Sequence, residues 1–166
     1  DVAPETVLTK EATDRFKVLY GDVDAAFKFA YAIGFLLVGW LIDRIGTRRG
    51  FSLGIIVWSI SAVLSTFVNN MAGLRWTRAF LGLGESANFP SSVKTVAEWF
   101  PKNERSFAHG LFNAGTNVGI ILTAISVPYL ILQFGWRSSF LVTGLLGFGL
   151  LILWWFTYSK PERSAK

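Results

Sequence analysis

Cysteine and histidine, which serve in many enzymes and metal sites, are nearly absent from this chain. Its 166 residues include no cysteine and one histidine, His109. The absence of cysteine excludes disulfides, thiolate nucleophiles and cysteine metal sites, and one histidine cannot form a histidine metal cluster. We therefore expect no metal site, no cofactor and no catalytic residues, and we interpret His109 as a polar residue near the start of a helix.

Charged residues are also scarce. They make up 16% of the chain, against 52% hydrophobic residues, and the mean hydropathy is +0.44. About a quarter of the residues of a soluble domain are charged, so this composition predicts an integral membrane protein in contact with the lipid bilayer. The net charge of +5 does not indicate nucleic-acid binding, because the basic residues gather in short loops between apolar runs.

The apolar runs predict an all-α bundle of about five transmembrane helices. Each run approaches or exceeds the roughly 20 residues that cross the hydrocarbon core. An acidic segment, residues 1–24, precedes them and is predicted as a short amphipathic helix or loop outside the membrane. The predicted spans are residues 25–42, 51–68, 74–100, 106–132 and 136–158 of the bundle 25–158, and residues 159–166 form a tail.

The loops on one predicted side of the membrane carry most of the basic residues. Cytoplasmic loops of membrane proteins are enriched in Lys and Arg, so this side is predicted as cytoplasmic. The chain is then a multi-pass protein of the plasma (inner) membrane, with its N-terminus outside and its C-terminus inside. The residues that decide the orientation are Arg44, Arg48, Arg49, Lys102, Arg105, Lys160, Arg163 and Lys166, against Arg75 and Arg137 on the opposite side.

Small residues recur within every predicted span, for example Gly82 and Gly84 in the third. Lipid gives helices no hydrophobic reason to associate, so close approach through small residues has to supply the contact. The third span also contains Pro90, which weakens its hydrogen-bond ladder. Such interruptions are tolerated in a membrane only beside protein or a water-filled cavity, which indicates that this helix lines a cavity.

Arg78 and Glu85 are the candidate functional pair. They lie seven residues apart in the third span, which corresponds to about two helical turns and a rise of roughly 10 Å on one helix face. Charges inside a span normally face the bundle interior or a wet cavity, and an arginine fork matches a carboxylate. We interpret the pair as the wall of a solute site, and the alternative is an interhelical ion pair that stabilises packing.

Other polar side chains in the spans are weaker candidates for contact with a solute. Lys28 is predicted at a depth similar to Arg78, with Tyr31 on the same helix face; the alternative for Lys28 is a side chain that snorkels to the surface. Four further candidates can equally form hydrogen bonds between helices. They are Asn88, Asn113, Thr116 and Asn117.

The loop between the first two spans carries the pattern Gly39-x-x-x-Asp43-Arg44-x-Gly46-x-Arg48-Arg49. This pattern resembles the cytoplasmic loop signature of the major facilitator superfamily, between its second and third helices. The resemblance implies that these residues form a cytoplasmic gate, in which a charged network stabilises one conformation. Glu98, Glu104 and Arg105 either extend this network or belong to a solvated loop.

Further runs are similar to the anion:cation symporter family within that superfamily. They are RAFLGLGESANFP at 78–90, AEWFPKNER at 97–105, FNAGTNVG at 112–119 and FGWR at 134–137. AAFKFAYAIG at 25–34 is most similar to transporters of hexuronates and related sugar acids. The similarity extends over about residues 25–158.

This resemblance implies the role of each member of the pair. Arg78 would bind the substrate carboxylate and Glu85 would couple transport to a proton, or the coupling ion would be sodium. Because the family has twelve spans, the chain corresponds to helices two to six of the N-terminal six-helix domain. The first helix and the C-terminal half of the carrier would then be missing partners.

Two other classes of function compete with a carrier. A membrane enzyme would need His109 to act without a partnered residue. A non-transporting bundle, or a half-carrier fragment, would need a second half for activity, because alternating access requires two halves around one site.

Overall fold

A computed structural model describes the backbone of residues 4–159 and, within them, the side chains of 9–15 and 17–159. This part of the chain is helical and contains no strand. The predictions for residues 1–3 and for most of the tail, 160–166, lie outside the described residues. The helices are α1 (Pro4–Ile45), α2 (Thr47–Ser65), α3 (Met71–Glu85), α4 (Asn88–Trp99), α5 (Arg105–Phe134) and α6 (Trp136–Thr157).

Helix α1 is longer than the first predicted span. It has 42 residues and therefore extends about 63 Å, roughly twice the hydrocarbon thickness of a bilayer. The segment before residue 25 is one continuous helix with the span, because no proline follows Pro4 in α1 and side-chain pairs one turn apart support the ladder. These pairs are Lys17–Asp14 at 3.7 Å and Lys28–Asp24 at 2.6 Å.

The third predicted span, residues 74–100, is divided into α3 and α4. Pro90 has no amide N–H, and its ring crowds the carbonyl of the residue four positions earlier, which is Ser86. The interruption falls at Ser86 and Ala87. Both residues keep right-handed helical dihedral angles, so α3 and α4 form one interrupted helix and not two independent elements.

Three helices in the described part of the chain are long and apolar enough to cross a membrane. They lie at Thr9–Ile45, Arg105–Phe134 and Trp136–Thr157. Large apolar side chains cover the outside of the bundle; Leu36, Leu132 and Phe156 are 79%, 82% and 84% exposed. This outward apolar surface is typical of a protein that lipid surrounds, and the predicted all-α membrane fold is confirmed.

Helix α3 packs between α1 and α2, and α2 also packs against α6. Small residues make this possible. A Cβ atom on Gly82 would collide with the backbone carbonyl of Phe27 in α1, and one on Gly84 would lie 2.5 Å from the backbone nitrogen of Trp58 in α2. Because α1 and α2 contact α3 on two sides, the rotation of α3 about its own axis is fixed. The direction in which its remaining face points is therefore fixed as well.

Helix α5 is the exception to this close packing. A Cβ atom added to Gly110, Gly115 or Gly119 would have no neighbouring atom within 4 Å among the described residues. Ala108 is the buried residue of this helix. The sequence predicts that the small residues of α5 pack against other helices, but in the described structure their faces are open.

Candidate solute site

A cavity of about 1020 Å³ lies among α1, α2, α3, α5 and α6. It reaches the end of the bundle where α2 joins α3, because the exposed residues Asn69 and Asn70 line it there. Most of its wall is apolar, with Leu74, Leu81 and Val127 among the lining residues. Few charged groups therefore face this cavity. An ion inside it would interact with those groups with little competition from other charges.

Arg78 and Glu85 both line the cavity. The guanidinium of Arg78 lies 4.9 Å from the centroid of the Phe140 ring in α6. Its Nε atom is buried and has no hydrogen-bond partner among the described residues. A buried donor without a partner costs about 1–3 kcal/mol, so an acceptor that entered the cavity would relieve this cost.

Glu85 is half-buried and stands two helical turns from Arg78. The same two residues also line a smaller recess of about 190 Å³ beside α1, together with Asp24. Among the described residues, the carboxylates in ion pairs are those of Asp14, Asp24 and Asp43. Glu85 is not one of them and faces the two cavities instead.

The other predicted solute contacts do not line either cavity. The Lys28 side chain is 72% exposed and pairs with Asp24. Tyr31 lies between the rings of Phe27 and Phe35, with centroids 6.0 and 6.4 Å away. Contact with a solute stays a prediction for these two residues and for the exposed residues Asn88, Asn113, Thr116 and Asn117.

The loop motif lies at the opposite end of the bundle, and Asp43 pairs with a residue outside the motif. Lys94 of α4 donates to the Asp43 carboxylate at 2.8 Å and to the carbonyl of Ile42 at 3.1 Å. Beside this pair, Glu98 accepts a hydrogen bond from Thr47 at 3.0 Å and another from the Tyr158 hydroxyl. These bonds connect α4 to α1, to α2 and to the end of α6.

The arginines of the motif contact tryptophan rings and backbone carbonyls. The guanidinium of Arg44 lies 4.0 Å from the Trp40 ring centroid, and that of Arg48 lies 4.4 Å from the Trp155 ring. Arg48 also donates to the Trp155 carbonyl. Arg49 is exposed. Of the two glycines of the motif, Gly39 lies near the end of α1 and Gly46 lies in the turn between α1 and α2. Gly39 is half-buried, and Gly46 has φ 87°, which a side chain would disfavour.

Sequence reasoning did not select three residues that the structure brings to these sites. Lys94 contacts Asp43, Phe140 contacts Arg78, and Arg137 lines the cavity and donates to Asn69; each of these partners is distant in the chain. The signal for Lys94 was the presence of a cation inside a predicted span, residues 74–100. Phe140 gave no signal, because one aromatic residue among many in an apolar span looks like a lipid contact.

Residues 50–54 spell Gly-x-Ser-x-Gly, a pattern found at the nucleophile of many hydrolases. In those enzymes the serine sits on a sharp turn between a strand and a helix. Here Ser52 is buried within α2 and its hydroxyl donates to the carbonyl of Arg48 at 2.7 Å. The pattern therefore reflects small residues at a helix contact and not a catalytic elbow.

The apolar exterior and the long apolar helices define a multi-pass membrane protein. The chain belongs to the Major Facilitator Superfamily, whose family model matches residues 12–166. It is 32% identical over 147 residues to the galacturonate transporter of Dickeya chrysanthemi, and the match covers 89% of this chain and 43% of that protein.

Two further relatives are also transporters and not enzymes. A probable galactarate/D-glucarate transporter of Bacillus subtilis is 34% identical over 155 residues, which cover 90% of this chain and 34% of the relative. The hexuronate transporter of Escherichia coli is 30% identical over 143 residues, which cover 86% and 33%. The chain thus spans less than half the length of these relatives, and the predicted resemblance to the superfamily and its sugar-acid transporters is confirmed.

A solved structure has the same fold. A bacterial homolog of the human lysosomal transporter Spinster, in an inward-facing and unoccupied conformation, gives a TM-score of 0.66. Its sequence identity is 22%, and the match covers 84% of this chain and 35% of that chain. This likeness supports the helix arrangement alone.

Proposed function

We propose that this chain forms part of a secondary active carrier that moves a small organic anion together with a proton across the plasma membrane. The anion is a sugar acid such as a hexuronate. The observation that supports this function most directly is a half-buried arginine and a half-buried glutamate on the wall of one cavity, neither of them in an ion pair with another described residue. The sugar-acid transporters among the relatives support the choice of anion.

Arg78 binds the carboxylate of the solute. Its guanidinium is held over the Phe140 ring, and its Nε atom has no acceptor among the described residues. A carboxylate accepts two parallel hydrogen bonds from an arginine fork, and such charge-assisted bonds are about twice as strong as neutral ones. The apolar wall beside the arginine strengthens the attraction, because less water screens it.

Glu85 carries the coupled proton. It lies two turns from Arg78 on the same helix and faces the same space, so its charge interacts with whatever Arg78 holds. When an anion neutralises the arginine, Glu85 loses the positive charge that favours its ionised form, and protonation becomes easier. Substrate binding and proton uptake are therefore linked, and both solutes cross in one cycle. Sodium is the alternative coupling ion.

The contacts of the loop motif hold the cytoplasmic end of the bundle in one conformation. Asp43 with Lys94 ties α1 to α4, and Arg48 with Trp155 ties α2 to α6. These contacts can break and re-form when helices move, because the side chains are at least partly exposed. The full motif comprises Gly39, Asp43, Arg44, Gly46, Arg48 and Arg49, and it forms the gate on the cytoplasmic side.

The chain acts together with further helices of the same carrier, a first helix and a C-terminal half. Two observations support this part of the proposal: the open faces of α5 and the length of the relatives, of which the chain covers 33% to 43%. Its N-terminal end lies outside and its C-terminal end in the cytoplasm. The chain without those helices is expected to insert in a membrane but to accumulate no solute.

The test is uptake of labelled glucuronate and galacturonate into membrane vesicles that contain the complete carrier of which this chain forms part, with and without an inward proton gradient. Arg78→Ala is expected to raise the apparent KM at least roughly tenfold, because it removes the hydrogen bonds to a charged group. Glu85→Gln is expected to keep exchange of labelled for unlabelled anion while it abolishes accumulation driven by protons. A sodium gradient replaces the proton gradient in a parallel set.

Exposed residues of the same charge that line neither cavity supply the matched controls. Arg75 is exposed, lies three residues before Arg78 and does not line the cavity, so Arg75→Ala should leave KM unchanged. Glu11→Gln, at an exposed position of α1 that lines neither cavity, is the corresponding control for Glu85. Wild-type affinity in Arg78→Ala would contradict the binding role, and accumulation by Glu85→Gln would contradict the coupling role. Accumulation driven only by a sodium gradient would show that the coupling ion is sodium and not a proton.

A further inference from the structure

We propose that Arg137 is a mouth cation, a fixed positive charge that draws the anion into the cavity before Arg78 binds it. This inference rests on the proposed function and adds a second residue to the path of the solute. Arg137 lines the same cavity as Arg78 but is exposed. Among the described lining residues these two arginines are the cations and Glu85 is the acid.

The guanidinium of Arg137 is held in place by three contacts. Its Nε donates to the carbonyl of Thr66 at 3.0 Å, and one Nη donates to the side-chain oxygen of Asn69 at 2.6 Å. The cation also lies 4.7 Å from the centroid of the Trp136 ring. A flexible surface arginine would sample many directions, whereas this one is restricted to the mouth of the cavity beside the α2–α3 loop.

The two arginines lie at successive depths. The side-chain oxygen of Asn70 caps α3 by accepting a hydrogen bond from the Gly73 amide. Arg78 follows Asn70 by eight residues, which corresponds to a rise of about 12 Å. Arg137 bonds to the neighbouring Asn69 and therefore lies near the level of the cap. Phe140, about one turn further along α6, carries the ring that supports Arg78. An anion at the mouth thus meets Arg137 first and Arg78 next.

Such a charge affects how fast the anion enters the cavity, and it does not affect the transport steps that follow binding. A cation at the mouth of a low-dielectric cleft raises the local concentration of anions and their rate of association, and salt weakens the effect. Two of the guanidinium's donor atoms, Nε and Nη2, are already bonded to protein oxygens, so its contribution is mainly its charge. Loss of that charge should raise KM and leave Vmax unchanged.

The bonds of Arg137 also allow a purely structural role, namely a link between the α2–α3 loop and the start of α6. The variants Arg137→Gln, Arg137→Lys and Asn69→Ala separate the two roles. The first removes the charge, the second keeps the charge without the planar fork, and the third removes a structural bond while the charge stays. All three are measured by glucuronate uptake into vesicles, normalised to the amount of carrier in the membrane.

Arg137→Gln is expected to raise KM roughly tenfold at low ionic strength, with unchanged Vmax, and the difference should shrink as salt is added. Arg137→Lys and Asn69→Ala should stay within about twofold of wild type, because the attraction of a charge acts over a longer distance than a hydrogen bond and both variants keep a cation near the mouth; in Asn69→Ala the contacts with Thr66 and Trp136 remain. An equal rise of KM in all three variants, independent of salt, would show a structural link and overturn the mouth cation.

The proposed function fails in a different way. If vesicles that hold the complete wild-type carrier take up no sugar acid, or if Arg78→Ala in that carrier transports as wild type does, the solute site itself is wrong, and the mouth cation is wrong with it. If wild-type uptake depends on Arg78 but Arg137→Gln has the wild-type KM at every salt concentration, only the mouth cation is overturned.

Discussion

The guanidinium of Arg78 lies 4.9 Å from the centre of the Phe140 ring, and this contact joins α3 to α6 across the cavity. An aromatic face attracts a cation by about 0.5–1 kcal/mol at exposed sites and by about 2 kcal/mol when water is excluded. A ring accepts no conventional hydrogen bond, so it holds the cation in position while its N–H donors stay available for a carboxylate.

Replacement of this ring should weaken anion binding. Phe140→Leu is expected to raise the apparent KM for glucuronate about fivefold, the equivalent of about 1 kcal/mol, because Arg78 loses its support. Phe140→Tyr should retain the wild-type KM. The control is Phe156→Leu in the same helix, since Phe156 is 84% exposed. A wild-type KM in Phe140→Leu would show that the ring does not position Arg78.

The tightest approach of α3 to α1 predicts a loss of stability on the addition of a single methyl group. A Cβ on Gly82 would collide with the carbonyl of Phe27, which is backbone and cannot rotate away. Gly82→Ala should therefore destabilise the bundle by about 1–3 kcal/mol, seen as a lower unfolding midpoint in detergent. Gly115→Ala in α5, where nothing lies within 4 Å, should not lower the midpoint.

The pair of Asp43 and Lys94 should behave as a coupled unit. Its side chains are 75% and 26% exposed, so the expected coupling is small, about 0.5 kcal/mol. A double-mutant cycle with Asp43→Asn and Lys94→Met measures it through unfolding midpoints. Exchange of the two residues, Asp43→Lys with Lys94→Asp, should recover most of the loss. Additive effects of the two single substitutions would contradict the pairing.

The hydrogen bond from Tyr158 to Glu98 should contribute to stability at the motif end of the bundle. Tyr158 is 6% exposed, and a bond to a charged acceptor is worth about 1.5–3 kcal/mol. Tyr158→Phe removes the hydroxyl and leaves Glu98 with its bond from Thr47. We expect a lower unfolding midpoint, whereas Tyr129→Phe, where the residue is 60% exposed, should change little.

The absence of cysteine makes the orientation directly measurable. Asn70→Cys and Asn103→Cys each introduce one thiol at an exposed position, at opposite ends of the bundle. In intact cells a membrane-impermeant maleimide should label the first variant and spare the second, since excess Lys and Arg mark the cytoplasmic side. Both should react after the membrane is permeabilised. The reverse labelling pattern would invert the proposed topology and place the Arg137 mouth inside.

Composition and local pattern were sufficient for the membrane class, the helical fold and the charged pair. Apolar runs reveal spans because lipid offers no partners for a free backbone, and Arg78 and Glu85 share a helix face because two turns return to the same side. The loop signature identified the superfamily because all of its residues lie within one short segment, residues 39–49. The interruption at Ser86 follows from Pro90, but its exact place required the backbone.

Contacts between distant segments were beyond such local patterns. Lys94 reaches Asp43 from 51 residues away, and Arg137 reaches Asn69 from 68 residues away. These pairs exist because α3 and α4 pack against α1 and because α6 packs against α2. Helical periodicity gives the direction of a side chain from its own axis, whereas its partner depends on how the axes are arranged. The tertiary packing therefore decided that Phe140 supports Arg78 and that Arg137 lines the same cavity, whereas the pair of Lys28 with Asp24 lies within one turn of α1 and is local.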